Sequence, residues 1–269
     1  MVEPSLMIAE DDTASLKHSR RWWVGLEILV VLGVSFGRSA LSALLSLIEK
    51  LQRDEPLAQQ TTNMNNAQAD QSMLDLAYQL YSFILPLAAV GMVWLLLRQQ
   101  HADVGATVGF NRRQPAKDIA RGALIAAGVG VPGLIFYFVA RAIGINTTVA
   151  PANLNAVWWA VPILLLSALM AGLSEEMIMI GYLLTRWRDL GWRWGVAISC
   201  SALIRGGYHL YQGFGGFFAN LVMGLVFGWL YWRWRRVAPL VIAHFLMDAT
   251  VFVGYPLLAP HLSWLLAPG

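Results

Sequence analysis

Three stretches of this sequence put ionisable side chains where apolar ones are expected. Glu175 and Glu176 sit in SEEMIMIGY, Arg205 and His209 in RGGYH, and His244 and Asp248 in HFLMD. All three lie in runs apolar enough to be buried in lipid. A charge at that depth costs a few kcal/mol or more, so each needs a reason to be there. Arg205 and His209 are four residues apart, as are His244 and Asp248, so each pair shares one helix face. Glu175 and Glu176 are neighbours, about 100° apart around a helix axis, and should face different partners. Brought together, the six groups can satisfy one another. Apart, each is an unpaired buried polar group.

This set of side chains suits hydrolysis. A buried carboxylate beside a histidine can take a proton from water. A second histidine with a hydrogen-bonding partner can stabilise an oxyanion. Other readings stand beside it. The groups could be ion pairs that hold helices together, or a proton or ion relay, although no paired inverted halves with broken helices are visible. Two histidines with Glu and Asp could bind zinc, but there is no H-E-x-x-H and the donors fall on three helices. Ser174 has no base beside it and no G-x-S-x-G elbow. Cys200, the single cysteine, reads as a small buried hydrophobe and excludes an internal disulfide framework. No cofactor and no metal is expected.

The elements that must position these residues follow from composition. The chain has 269 residues, 57% hydrophobic and 13% charged, against about 25% charged in soluble domains. That places it in the membrane class, with the lipid bilayer as its surroundings. Twelve tryptophans and eight tyrosines suit interfacial aromatic belts. The net charge of +3 is small and forms no stripe for nucleic acid. A span needs about 20 mostly apolar residues, and seven candidates appear: 22–48, 73–97, 120–143, 156–184, 194–211, 217–232 and 239–258. Pro132 and Gly133 predict a kink in the third. Glu49–Ser72 reads as a polar loop. Basic clusters at Lys17–Arg21, Arg98–Arg121, Arg186–Arg193 and Arg233–Arg236 all fall on one side if there are seven spans. This implies a cytoplasmic N-terminus and an external C-terminus. The expected fold is all-α: a polytopic membrane protein of about seven transmembrane helices. A four-helix core lies in its C-terminal half. The expected divisions are a cytoplasmic tail (1–21) without a cleavable signal peptide, N-terminal helices and loops (22–150), and a catalytic core (151–269).

EEMIMIGYLL, RGGYH and HFLMD, in this order on hydrophobic spans, resemble the CAAX protease and bacteriocin-processing family. This family of intramembrane glutamate endopeptidases is also called CPBP or Abi, and its pattern is EExxxR, FxxxH and HxxxN or HxxxD. The resemblance covers roughly Pro151–Val253, with a fainter echo at Gly109, Phe110, Arg112 and Arg113. It implies that Glu175 activates water with His209 as helper. It implies that His244 belongs to the oxyanion hole, with Asp248 orienting it, and that Glu176 is a supporting companion. The implied substrate is a membrane-associated peptide or protein, cleaved by a multi-pass protein of the bacterial plasma membrane. The alternative is a catalytically silent family member that serves as a binding, immunity or scaffold partner. Two positions depart from the pattern: Ile180 stands where the family has arginine, and Arg205 where it has phenylalanine. Arg205 shares a face with His209, and is expected to supply the missing positive charge by pairing with Glu176 or Glu175.

Overall fold

A computed structural model describes residues 21–154 and 157–254. The expected tail, apart from Arg21, and the end of the seventh span lie outside the described residues. Eight helices follow one another: α1 (Arg21–Leu51), α2 (Ser72–Arg98), the short α3 (Val104–Val108), α4 (Pro115–Ala142), α5 (Ala160–Asp189), α6 (Trp194–Tyr208), α7 (Phe214–Trp234) and α8 (Ala238–Gly254). The protein is an all-α polytopic membrane protein. Five of these helices, α1, α2, α4, α5 and α7, are long and apolar enough to cross a bilayer. Within the described residues, α6 and α8, at the fifth and seventh expected spans, are shorter. Helix α6 has 15 residues, about 22 Å at 1.5 Å per residue. It is prolonged by a 3-10 turn at Leu210–Gln212.

Residues near the ends of these helices gather in two groups. At one end Arg188 and Arg235 lie over the Trp194 ring, at 5.0 and 4.3 Å, and Arg121 lies 4.7 Å over Trp234. There Arg236 bonds both carboxylate oxygens of Asp118 and reaches Asn111. At the other end Lys50 Nζ donates to Tyr211 O at 2.5 Å and to Thr62 Oγ1 at 2.6 Å. Thr62 in turn shares a hydrogen bond with Thr147. The far end of α8 joins this side, because Phe252 packs with Met64 and Ala152. Helix α1 is not split. Helix α4 also runs unbroken through Pro132.

One feature departs from an all-helical reading. Thr61–Asn66 (β1) and Thr148–Asn153 (β2) form a two-stranded parallel ribbon, with Thr61 opposite Thr148. The polar loop Glu49–Ser72 has no local pattern that announces a strand. Its partner lies far along the chain, and the pairing comes from the way the helices bring the two connections together.

Helix α5 lies at the centre. Met177, Ile178, Met179, Ile180, Tyr182, Leu183 and Leu184 are all fully buried. Lipid offers no hydrophobic drive between helices, so small residues set how closely they approach. A Cβ on Gly224 would meet Ala202 Cα at 2.8 Å, and one on Gly228 would meet the Ile198 side chain at 2.6 Å, so α6 packs closely on α7, against backbone at Ala202 and under a side chain at Ile198. Gly172 does the same for α5 against α8: a Cβ there would meet Phe245 N and Val241 O, each at 3.1 Å. That contact draws His244 toward the glutamates.

Candidate active site

Helices α5, α6 and α8 bring all six expected residues into one cluster. Glu176 is fully buried, and its Oε1 takes two donors: Arg205 Nη2 at 2.6 Å and His244 Nδ1 at 2.7 Å. Arg205 is itself 1% exposed, with its guanidinium carbon 5.6 Å from the Phe227 ring centre. The same Nη2 lies 3.8 Å from Glu175 Oε2. The fifth span therefore supplies a guanidinium to the two acids of the fourth. Ile180, at the family's arginine position, is packed into the apolar core.

The local backbone helps to explain this. Glu176–Tyr182 is a π-helical segment inside α5. Such wide turns are frequent at functional sites and rotate the residues that follow. A π turn also disturbs the regular backbone bonding, and Ser201 Oγ of α6 donates to Met179 O at 2.8 Å. With the helix rewound, residue 180 faces apolar neighbours, and the positive charge arrives from α6 instead.

Glu175 is placed differently from its neighbour. Its side chain is 13% exposed. Tyr208 Oη donates to its Oε2 at 2.7 Å, and among the described residues its Oε1 makes no hydrogen bond. His209 follows Tyr208, with ring centres 4.7 Å apart. Its Nδ1–H donates to Arg205 O at 2.9 Å, which leaves Nε2 as the nitrogen with a free lone pair. His244 stands between two carboxylates: Nδ1 on Glu176, and Nε2 3.5 Å from Asp248 Oδ2. The long second contact orients the ring while leaving Nε2 able to serve another acceptor.

Three carboxylates thus meet one guanidinium and two imidazoles. Glu176 takes the strongest donors, and the excess of negative charge falls on Glu175 and Asp248, the two acids that keep some exposure. Among the described residues, Glu176 Oε2 and Arg205 Nη1 are buried without a hydrogen-bond partner. Among the described residues, no group of three or more His, Cys, Asp or Glu side chains is arranged to hold a metal ion.

A second buried cluster lies further along α5. Glu27 of α1 accepts from Tyr182 Oη at 2.7 Å and from Arg186 Nε and Nη2 at 2.7 and 3.0 Å. Arg186 also donates to Leu96 O of α2 at 2.9 Å. Arg186 looks like a span-end cation in the sequence but is 0% exposed. Tyr208 is a group at the acids that residue types did not single out, although it stands directly before His209. Glu27 is visible in the sequence as a charge in the first span, without a partner to name.

No match was found among curated proteins or among solved structures. The family model described as type II CAAX prenyl endopeptidase Rce1-like matches residues 157–250. That stretch contains all six converging side chains and the π segment of α5. The part of the chain that builds this cluster is therefore similar to the Rce1-like type II CAAX prenyl endopeptidases, the kind of family that its three motifs resemble.

Proposed function

We propose that this protein is an intramembrane endopeptidase that hydrolyses a peptide bond with water activated by Glu175 and His209. The observation that carries this reading is the unequal treatment of two adjacent glutamates. Glu176 is buried and held by Arg205 and His244, whereas Glu175 keeps one oxygen unbonded beside the Tyr208–His209 turn. A carboxylate fixed through one oxygen and free at the other is suited to accept a proton from water. In this reading Glu175 takes the proton as the water oxygen bonds to the scissile carbonyl carbon. His209 Nε2 helps to hold that water. His244 Nε2–H donates to the oxygen that becomes negative, with Asp248 keeping the ring in place. The proton then passes to the leaving amine. Glu176 and Arg205 hold the frame.

The substrate is a membrane-associated peptide or protein, met in the bilayer. The basic clusters support an N-terminus on the cytoplasmic side, and a bacterial plasma membrane is the proposed location. Ile180 in place of the family's arginine supports a second reading, a catalytically silent member that binds another membrane protein.

The test is cleavage by purified protein in liposomes, using prenylated CAAX-tailed peptides and unmodified transmembrane peptides. Glu175→Ala and His209→Ala serve as comparisons, with and without chelator. Loss of cleavage in both variants supports the mechanism. Undiminished activity in both would reject it, binding without cleavage by the wild type would favour the silent reading, and inhibition by chelator would require a metal.

A further inference from the structure

We infer that Tyr208 is a positioning residue for Glu175, and that Phe36 of the first helix holds Tyr208 in place. This rests on the reading of Glu175 as the residue that takes the proton from water.

Tyr208 is 5% exposed, and its single polar atom needs a buried partner. That partner is a carboxylate: Tyr208 Oη donates to Glu175 Oε2 at 2.7 Å. A hydrogen bond to a charged acceptor is stronger and more directional than a neutral one. It pins Oε2 on the side of Arg205, whose Nη2 is 3.8 Å from the same oxygen. The carboxylate can then present only Oε1 to the exposed side. The tyrosine ring is fixed in turn by Phe36, parallel to within 9° with ring centres 4.8 Å apart. Phe36 lies in Gly33–Gly37, a π-helical turn of α1. Within that turn Ser35 Oγ donates to Val31 O at 2.6 Å. Among the described residues, no hydrogen bond joins a side chain of α1 to Glu175 or Glu176, and Glu27 is engaged with Tyr182 and Arg186. The contribution of α1 is this aromatic wall, so the site is completed by a helix outside the family segment.

Two kinds of measurement test this. Tyr208→Phe removes the hydroxyl and keeps the ring. It is expected to lower kcat about tenfold with KM changed less than about twofold, because one aligned donor is lost and no substrate contact is touched. Phe36→Leu keeps the hydroxyl but frees the ring, and should give a smaller loss of the same kind. The double variant should fall no further than Tyr208→Phe alone. Independently of activity, isotope-edited infrared difference spectra against Glu175→Gln isolate the Glu175 carboxylate stretch. That band should move in Tyr208→Phe. It should also move when 3,5-difluorotyrosine is placed at 208, which keeps both ring and hydroxyl and so preserves the fold. A band unmoved by both changes would overturn the inference, as would full kcat in a folded Tyr208→Phe protein whose Glu175→Ala counterpart is dead. If Glu175→Ala is fully active, the peptidase reading falls instead, and the infrared band still decides whether Tyr208 holds Glu175.

Discussion

Helix α5 carries two buried acid–arginine clusters, and they differ in how completely their acids are satisfied. Toward the basic end, both oxygens of Glu27 are taken, three donors in all from Tyr182 and Arg186, and Arg186 ties the group to α2 through Leu96 O. At the π segment, Arg205 and His244 share one oxygen of Glu176, and Glu175 is held by one oxygen only. Both clusters use the same chemistry of a carboxylate, a guanidinium and a tyrosine hydroxyl. With both oxygens of its acid taken, the Glu27 set is suited to holding helices together, although Arg186 Nη1 is buried without a hydrogen-bond partner among the described residues. The other set leaves Glu175 partly exposed, with one oxygen able to accept a proton. The two clusters therefore differ in whether the acid keeps an oxygen free, not in residue types.

The largest effect is expected from removing the two acids in turn. Glu175→Gln should lower cleavage about a thousandfold, within the range for loss of a general base, with thermal unfolding little changed. Glu27→Gln should do the reverse. Cleavage per folded molecule should stay within a few-fold, while stability falls by about 1–3 kcal/mol as Arg186 and Tyr182 lose their acceptor. Equal losses of activity in the two variants would erase the distinction. His209→Ala comes next, with a loss of about a hundredfold in kcat measured in the same liposome assay. The two arginines offer a subtler pair. Arg186→Leu and Arg205→Leu should each destabilise by on the order of 3 kcal/mol, because a buried carboxylate loses its partner. Only Arg205→Leu should also lower activity per folded molecule, by about tenfold, since only there does the guanidinium lie at the acids of the proposed site. Denaturation in mixed micelles, read beside cleavage, separates the two quantities. The smallest effect is expected at Gly172→Ala. Its Cβ would meet backbone atoms of α8 at 3.1 Å. Moving α8 by a few tenths of an ångström shifts His244 against Glu176, and a loss of about threefold in kcat should follow from misplaced geometry. A fully active, equally stable Gly172→Ala protein would show that the α5–α8 distance is not critical.

Much of this was legible from the chain alone. The apolar composition marked the membrane class. The i, i+4 pairs on the fifth and seventh spans indicated shared faces, and the adjacency of Glu175 and Glu176 indicated separate partners. The shortness of α6 was hidden because a 3-10 turn continues its apolar run. The β1–β2 ribbon was hidden because neither polar strand has a pattern of its own and each is defined by the other. Arg186 was misleading: its place near a span end suggested an exposed cation, yet burial is decided by what packs around the helix.

What the sequence by itself determined is which groups had to meet. Three carboxylates, two imidazoles and a guanidinium in lipid-depth helices have no water to turn to, so the energy of desolvation alone requires them to converge. What only the tertiary structure decided is how they share the donors. The π segment turned Ile180 into the core and let Arg205 take Glu176. The close approach at Gly172 brought His244 to the same oxygen. Tyr208, stacked on Phe36, took one oxygen of Glu175. These outcomes depend on the rotation of a helix by part of a turn and on separations of a few tenths of an ångström. Residue types and spacing do not encode those directly, because they are the joint result of every helix packing against its neighbours.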